Sequence, residues 1–293
     1  MSALPDKPNT SWAGRAIDWF ERRLALGELL SFVTHFGLVW TRVDPNKPVR
    51  EVVREAAEAP VEPYAMWPRA LGLLLALLFL LEVVTGTLLA FYYQPASEVA
   101  HESTRTIVRD IPFGWLLHQL HAWGALLLVV TAIVRLARLF WDGLYRAPRE
   151  LLWFAAVVLV MLAFKLELTG RLLTWDVDSY WSVTRGLDVL VTLPLIGPAI
   201  EFVIGGRVVN DTVLIRFYVL HVAILPFWFA AFIYLTFATL RRVGLSPVEG
   251  GSGSTTTIRA HAFTLASLLL VVFGVLVTLV VLLPFPFRAA ADP

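Results

Sequence analysis

Two histidines inside long apolar stretches are the residues best suited to carry chemistry in this sequence. His121 lies in FGWLLHQLHAW and His221 lies in RFYVLHVAILP. An ionisable side chain within an apolar, helix-length run indicates function by default, and neutral imidazole is a common metal ligand. The chain contains no cysteine, which excludes thiolate metal sites, disulfides and thioether-linked cofactors. Any metal must therefore be held by histidine, carboxylates or methionine.

The composition is that of a membrane protein. Hydrophobic residues make up 58% of the 293 residues, charged residues make up 16%, and the mean hydropathy is +0.71. A bilayer-spanning helix needs roughly 20 apolar residues. The net charge of +1 gives no indication of nucleic-acid binding. Five runs meet or approach the required length, and we call them spans 1 to 5: residues 70–93, 114–134, 151–173, 217–240 and 262–287.

The segments around these spans predict three regions. Residues 1–63 comprise an amphipathic surface helix within 11–40 and a charged linker; the alternative is a helix docked on a soluble partner. Residues 64–243 form a four-helix transmembrane bundle, and 244–293 a loop and the fifth transmembrane helix. Arginines concentrate in the loops after spans 2 and 4, so these loops and the N-terminus are expected in the cytoplasm. The chain is thus predicted to be all-α, integral and multi-pass in the membrane.

The two histidines are expected at matching depth. His121 lies about 10 Å into a helix that begins near Gly114, and His221 lies about 12 Å into one that begins near Val213, at 1.5 Å per residue; both helices are expected to start from the outer side. Imidazoles on facing helices suit axial ligation of haem iron from opposite faces of a macrocycle. Gly86 and Gly170, at about the same depth on spans 1 and 3, would let the backbones approach such a group. This geometry therefore suits a haem held by two histidines in the outer half of the bundle.

Ordered motifs along the chain resemble those of the cytochrome b family, the membrane subunit of quinol-oxidising bc-type complexes. The similarity covers roughly residues 67–293 and is greatest to the short, split form of the protein. The resemblance implies a haem-binding bundle of spans 1 to 4, with His121 and His221 as the outer pair of axial ligands. The motifs that carry it are TGTLLAFYYQP (85–95), FGWLLHQLHAW (113–123), YRAPRELLW (145–153), LTGRLLTWDVDSYW (168–181), LPLIG (193–197) and RFYVLHVAILP (216–226).

The sequence departs from the family at the second, inner haem. The family places another histidine 14 or 15 residues after each outer ligand, but Arg135, Leu235 and Thr236 stand there. None of these side chains replaces imidazole on haem iron. The glycine expected 14 residues before Gly170 is Ala156. We therefore predict a single haem, with Arg135 extending to the inner headgroups and the inner space filled by side chains that include Phe229, Phe232 and Trp153.

The resemblance also implies quinone as a ligand and redox proteins as partners. The residues at quinone-site positions are Lys165, Ser182, Thr184, Arg185 and Gly186. With one haem, we expect electron exchange between quinone and partners on the outer side, because the inner face is about 20 Å away by helix rise. The expected partners are an iron–sulfur protein or c-type cytochrome, a separate subunit supplying the family's missing C-terminal part, and membrane lipid.

Several polar residues in the outer half need assigned roles. Glu82 and Lys165 fall at similar depth, so we predict that they form a buried ion pair, with a proton path for quinol oxidation as the alternative. We place Glu82 among the cofactor-binding residues. His118, one turn before His121, is expected to form a hydrogen bond at the haem rim. Pro226 is expected to kink span 4 by freeing the carbonyl of Val222.

Two functions from different classes remain open at this point. One is a one-haem electron-transfer subunit that uses quinone. The other is a haem-free structural anchor that retains the fold to hold peripheral subunits. A transporter is disfavoured, since the sequence shows no inverted repeat. The joint presence of His121, His221, Gly86 and Gly170, beside the absence of the inner set, favours the electron-transfer subunit.

Overall fold

The computed structural model describes residues 66–195, 197–243 and 256–291, together with Trp12, Glu51, Arg54, Glu58 and Pro60–Val61. The predicted surface helix within residues 11–40 and the predicted linker lie outside the described residues, apart from these isolated positions. The chain divides into two compact units: one comprises residues 1–65 and 237–263, the other 66–236 and 264–293. The predicted boundaries after residues 63 and 243 stay predictions.

The described part of the chain is almost entirely helical. In the first unit, strand β1 (Pro60–Val61) pairs antiparallel with β2 (Thr256–Thr257). A π turn spans Leu220–Ile224. The helices are α1 (Met66–Ala90), α2 (Ala100–Arg109), α3 (Gly114–Trp141), α4 (Glu150–Leu173), α5 (Val177–Val191), α6 (Gly197–Ile204), α7 (Asp211–Val219), α8 (Leu225–Val243) and α9 (Ile258–Leu282).

Five helical segments in the described residues are long and apolar enough to cross a membrane. They are Ala70–Ala90, Gly114–Trp141, Glu150–Leu173, Asp211–Leu240 and Ala262–Leu282. Large apolar side chains such as Leu80, Val134, Phe164 and Leu270 remain exposed on them. Such surfaces are stable against lipid but not against water. The predicted all-α membrane fold, with a four-helix bundle and a fifth spanning helix, is confirmed.

The core of the bundle is built where apolar faces of spans 1 to 4 meet. Helix α1 packs on α3, α3 packs on α4, and α7 packs on α4. One buried cluster lies in mid-bundle and includes Leu75, Leu128, Leu159 and Phe229. Because lipid tails are as apolar as these side chains, close packing between the helices is what stabilises such a seam in a bilayer. The seam therefore fixes which faces turn inward.

The excursion between spans 3 and 4 consists of two short helices, α5 and α6. Asp176 caps α5 by accepting from the Ser179 N–H, while the Ser179 hydroxyl accepts from the Asp176 N–H. This capping box satisfies the first orphan donors of the helix. A second buried cluster, which includes Trp175, Leu187 and Leu214, holds the excursion against the ends of α4 and α7.

The fifth span ends earlier than the hydropathy pattern indicated, at Leu282, because Pro284 and Pro286 cannot continue a helix. The segment that follows turns back onto α3. Gln119 donates to the Phe285 carbonyl at 3.2 Å and accepts from the Phe285 N–H at 2.8 Å. The Val177 N–H donates to the Ala289 carbonyl at 3.1 Å. This tail therefore lies beside the start of α5.

Candidate cofactor site

The structure places the side chains of the two predicted ligand histidines opposite each other. The ring centres of His121, on α3, and His221, in the π turn, are 6.1 Å apart, and their planes lie at 85°. Because metal–imidazole bonds are about 2 Å long, ring centres on opposite sides of one ion are expected about 6 Å apart. The matched depth predicted from helix rise thus becomes a direct juxtaposition of two imidazoles.

The π turn that carries His221 has a local cause in the sequence. Pro226 has no N–H, so a regular α-helix would leave the Val222 carbonyl without a partner. The chain forms a π turn instead, in which the Leu225 N–H donates to the Leu220 carbonyl. Insertions of this type rotate the following residues relative to the preceding turn. The irregularity expected at Pro226 therefore takes the form of a π turn that contains the ligand itself.

Each histidine meets a threonine–glycine pair on the neighbouring helix. Thr85 Oγ1 lies 3.0 Å from His121 Nδ1, and Thr169 Oγ1 lies 3.1 Å from His221 Nδ1. A Cβ on the next residue, Gly86, would stand 2.9 Å from His121 Cε1. One on Gly170 would stand 2.7 Å from His221 Cε1. The two halves of the site therefore repeat one arrangement, in which threonine orients the imidazole and glycine leaves room for it.

The threonine hydroxyls determine which imidazole nitrogen is free. Thr85 donates its single hydroxyl proton to the Leu81 carbonyl at 2.8 Å, and Thr169 donates to the Lys165 carbonyl at 2.8 Å. Each hydroxyl oxygen must then accept from the histidine, so Nδ1 carries the proton. The lone pair of both rings is left on Nε2. This tautomer is the one needed for a metal ligand.

Glu82 contacts His121 rather than Lys165. Its Oε2 lies 3.0 Å from His121 Nδ1, and the residue is 9% exposed. A Cβ on Gly124 would stand within van der Waals overlap of Glu82 Oε1, so this glycine provides the space for the carboxyl group. Lys165 is exposed on α4. The predicted Glu82–Lys165 ion pair is therefore wrong, because the two side chains leave their helices in different directions.

A cavity of about 860 Å³ surrounds the two histidines. Apolar walls such as Phe79 and Leu128 enclose it, and three of its lining side chains carry buried polar atoms without a hydrogen-bond partner in the described residues: Glu82 Oε1, His118 Nδ1 and Tyr93 Oη. Tyr93 lies just beyond the end of the first spanning helix. Burial, with a contribution from Tyr218, raises its pKa and keeps its hydroxyl neutral.

These features fit the haem that the sequence predicted. The cavity volume lies in the range of cofactor cavities, and a flat macrocycle with an apolar body and a polar edge matches apolar walls with orphaned polar atoms. Within the described residues, no group of three or more histidines and carboxylates could hold a bare metal ion. His121 and His221 would hold the iron, and His118 remains free for the predicted rim hydrogen bond.

The residues assigned to a quinone site do not gather as one group. Ser182 and Arg185, on α5, line the cavity. Ser182, Thr184 and Arg185 all donate to carbonyls of their own helix, but neither Thr184 nor Gly186 is among the residues that line the cavity. Lys165 points away on the exposed face of α4. The helix periodicity of α5 explains the division, because positions 182 and 185 share a face.

Arg135 occupies the interior at the place of the family's inner ligand. It is 2% exposed, and its Nε lies 3.6 Å from the position of a Cβ on Gly72. Its Nε and Nη2 have no hydrogen-bond partner in the described residues. The expectation that Arg135 extends to the headgroups is therefore wrong: α3 continues beyond it to Trp141, which leaves the side chain enclosed.

Two of the three aromatic side chains expected in the inner half of the bundle lie there. Phe229 is fully buried and stacks on Phe79 with ring centres 4.7 Å apart. Phe232 packs beside it and contacts Phe154. Trp153 instead joins Phe140 and Tyr145 in a separate cluster. Phe229 and Phe232 thus fill the space as expected, whereas Trp153 does not.

Sequence reasoning missed the residues that orient the ligands. Thr85 and Thr169 immediately precede the glycines that were singled out, so the repeated Thr-Gly dipeptide was an available signal. Gly124 gave no sign of its role, since only the position of Glu82 reveals it. The contact between Gln119 and the C-terminal tail at Phe285 was missed as well, because the two residues lie 166 positions apart in sequence.

Comparison with known proteins places the chain in a family. A family model described as cytochrome b/b6/petB matches residues 57–244. Cytochrome b6 of Heliobacterium modesticaldum is 35% identical over 200 residues, covering 68% of this chain and 94% of that protein. Cytochrome b6 of Synechococcus elongatus is 30% identical over 233 residues, covering 79% and 98%.

A solved structure described as a hyperthermophilic respiratory Complex III has the same fold. It superposes with a TM-score of 0.75 at 23% identity, covering 94% of this chain and 71% of that chain. The family match, the relatives and the five apolar helices together identify an integral, multi-pass membrane protein of electron transport. The chain belongs to the cytochrome b family, in its split, b6-like form, and this membership implies binding of b-type haem.

Proposed function

We propose that this protein binds a single b-type haem between His121 and His221 and serves as an electron-transfer subunit of a bc-type complex. The observation that carries the proposal is the repeated ligand arrangement, with Thr85 and Thr169 on the two Nδ1 atoms and Gly86 and Gly170 beside the two rings. Preorganised ligands of this kind support a cofactor site. A b-type haem, when bound, supplies a one-electron iron couple.

The proposal of one haem rests on the inner half of the bundle. Arg135 and Thr236 stand at the family's ligand positions, and both are 2% exposed. Phe229 fills space between them and the outer site, in a cluster with Leu128 and Leu159. These side chains provide no second ligand pair, and of the two inner glycine positions Gly72 is kept whereas Ala156 stands at the other.

One haem restricts the path of electrons. The outer site lies about 20 Å from the far ends of the spans by helix rise, too far for useful transfer without a second centre. We therefore assign electron exchange to the side at which α3 and α7 begin. Quinone is the proposed lipid-soluble reactant, with Ser182 and Arg185 as its contacts on the cavity wall; Lys165, Thr184 and Gly186 are no longer assigned to it.

The proposed partners follow from the same arrangement. The curated relatives are cytochromes b6, and the structural neighbour is described as a respiratory Complex III. We propose an iron–sulfur protein or a c-type cytochrome as the redox partner on the outer side. A further membrane subunit of the same complex is the other proposed partner. The N-terminus is assigned to the cytoplasm from the arginines in the loops after spans 2 and 4.

A spectrum of the purified membrane protein tests this function. Reduced-minus-oxidised absorbance, with haem quantified per chain, should show one bis-histidine b haem. A protein that folds and assembles with partner subunits but holds no haem would support the structural-anchor alternative. Two haems per chain would contradict the assignment of Arg135 and Thr236 as non-ligating residues.

A further inference from the structure

The two axial ligands differ in one contact, the carboxyl group of Glu82. His121 Nδ1 faces two side-chain oxygens, Thr85 Oγ1 at 3.0 Å and Glu82 Oε2 at 3.0 Å. His221 has Thr169 Oγ1 at 3.1 Å and the backbone of Leu166 as its partners. The threonine contacts match each other, so the asymmetry of the site lies in the second partner, which is a carboxyl group for His121 and the backbone of Leu166 for His221.

The surroundings show that this carboxyl group is held in place by the fold. Glu82 lies on α1 and is 9% exposed, three residues before Thr85. The absence of a side chain at Gly124, on α3, is what admits the carboxyl group, because any Cβ there would overlap Oε1. Gly124 follows His121 by three residues, so the glycine and the ligand share one face of α3.

Thr85 determines which groups donate and which accept hydrogen bonds at His121 Nδ1. Its hydroxyl proton goes to the Leu81 carbonyl, so both Thr85 and Glu82 can only accept from the imidazole N–H. A carboxylate acceptor on a ligating histidine fixes the ring orientation and makes the other nitrogen a stronger donor. A stronger donor stabilises oxidised iron relative to reduced iron.

We propose that Glu82 is a positioning residue that makes His121 the more strongly donating axial ligand and lowers the reduction potential of the haem. The inference rests on the proposed function, since it needs the haem that His121 and His221 hold. It assigns to this chain a ligand–carboxylate pair on one side of the macrocycle only. The consequence is a haem that gives its electron more readily to an acceptor.

The substitution Glu82→Gln tests the proposal in the intact chain. Glutamine keeps the shape and an acceptor oxygen but is a weaker acceptor. Mutation of a partner of this kind typically costs about 10- to 100-fold in metal affinity or activity. We expect at least a tenfold shift of the redox equilibrium toward reduced haem, which is about 59 mV for a one-electron couple, together with a changed electron paramagnetic resonance signal of the ferric haem.

Glu167→Gln is the matched control. Glu167 lines the same cavity from α4, but its carboxylate pairs with Arg171 at 2.7 Å and contacts neither histidine. We expect a smaller potential shift and an unchanged resonance signal. Equal shifts in the two variants would overturn the proposal, because they would show only the loss of a nearby charge. An unchanged potential in Glu82→Gln would overturn it as well.

Thr169→Val and Thr85→Val keep the proposal testable if Glu82→Gln retains too little haem. Valine at position 85 leaves His121 with Glu82, whereas valine at position 169 removes the side-chain acceptor of His221. We expect Thr85→Val to change the potential less than Thr169→Val. The reverse order would contradict the assignment of Glu82 as an acceptor. A wild-type protein without haem would instead refute the proposed function itself.

Discussion

The two halves of the helical bundle carry different side chains at equivalent positions of the same helices. In the outer half, His121 and His221 face each other beside Gly86 and Gly170. In the inner half, one span carries Arg135, and the opposite span carries Leu235 and Thr236. The helix backbones can therefore support either arrangement, and only the side chains decide which half can hold a macrocycle.

The two halves also differ in whether their buried polar atoms have hydrogen-bond partners. In the outer half, the Nδ1 atoms of both ligand imidazoles have hydroxyl partners, while the orphaned atoms line an open cavity. In the inner half, Arg135 Nε and Nη2 and Thr236 Oγ1 are buried without partners in the described residues. An unmet polar group beside a cavity indicates a ligand, whereas one enclosed by packed side chains only costs stability.

The largest effect should come from the ligands themselves. His121→Ala or His221→Ala should abolish the b-type absorbance, because a single imidazole leaves one face of the iron without its protein ligand. The measurement is haem per chain in the purified protein. Arg135→Ala serves as the inner-half control and should retain the wild-type haem content; loss of haem in this variant would contradict the assignment of the site to the outer half.

Alanine in place of the site glycines should have the next largest effect. The Cβ of Gly86→Ala or Gly170→Ala would lie 2.9 or 2.7 Å from an imidazole Cε1. Displacing the ring should cost about 1–3 kcal/mol and lower haem retention accordingly. Gly72→Ala is the matched variant, since its Cβ would make an ordinary 3.6 Å contact with Arg135. The measurement is haem retention during detergent dilution. Equal losses in Gly72→Ala and in the two site variants would contradict the role of Gly86 and Gly170 in leaving room for the imidazoles.

Arg135→Met should increase thermal stability. Methionine fills similar volume and removes a buried cation that lacks partners in the described residues, and replacing buried charges by apolar groups is often stabilising by about 1–4 kcal/mol. The thermal midpoint of the haem-loaded protein, measured by circular dichroism, should rise while the haem spectrum stays unchanged. A fall in the midpoint would show that Arg135 has a stabilising partner outside the described residues.

Lys165→Gln should have the smallest effect. The side chain is exposed on α4 and does not pair with Glu82, so the substitution removes no contact that the structure gives to the candidate haem site. The haem content and the reduction potential should match the wild type. A large shift of the potential would restore Lys165 to the outer site.

The sequence predicted the spanning helices and the juxtaposition of His121 and His221, because both depend on local patterns; the role of the two histidines as haem ligands stays a prediction. Apolar runs of bilayer length are unambiguous, and histidines inside them stand out against a background that excludes polar groups. The prediction failed where two side chains had to meet. Glu82 and Lys165 lie at similar depth, but depth along an axis does not give the rotation about it.

The sequence by itself determined the membrane fold and the similar depth of both histidines, since these follow from residue type and helix rise, and its resemblance to the family showed that the inner ligand positions carry no histidine. The tertiary structure decided which partner each side chain found. Glu82 reaches His121 because Gly124 leaves the space, and Arg135 is enclosed because α3 extends past it. Such contacts depend on how helices rotate and pack against one another, and packing is a property of the whole bundle rather than of any one stretch.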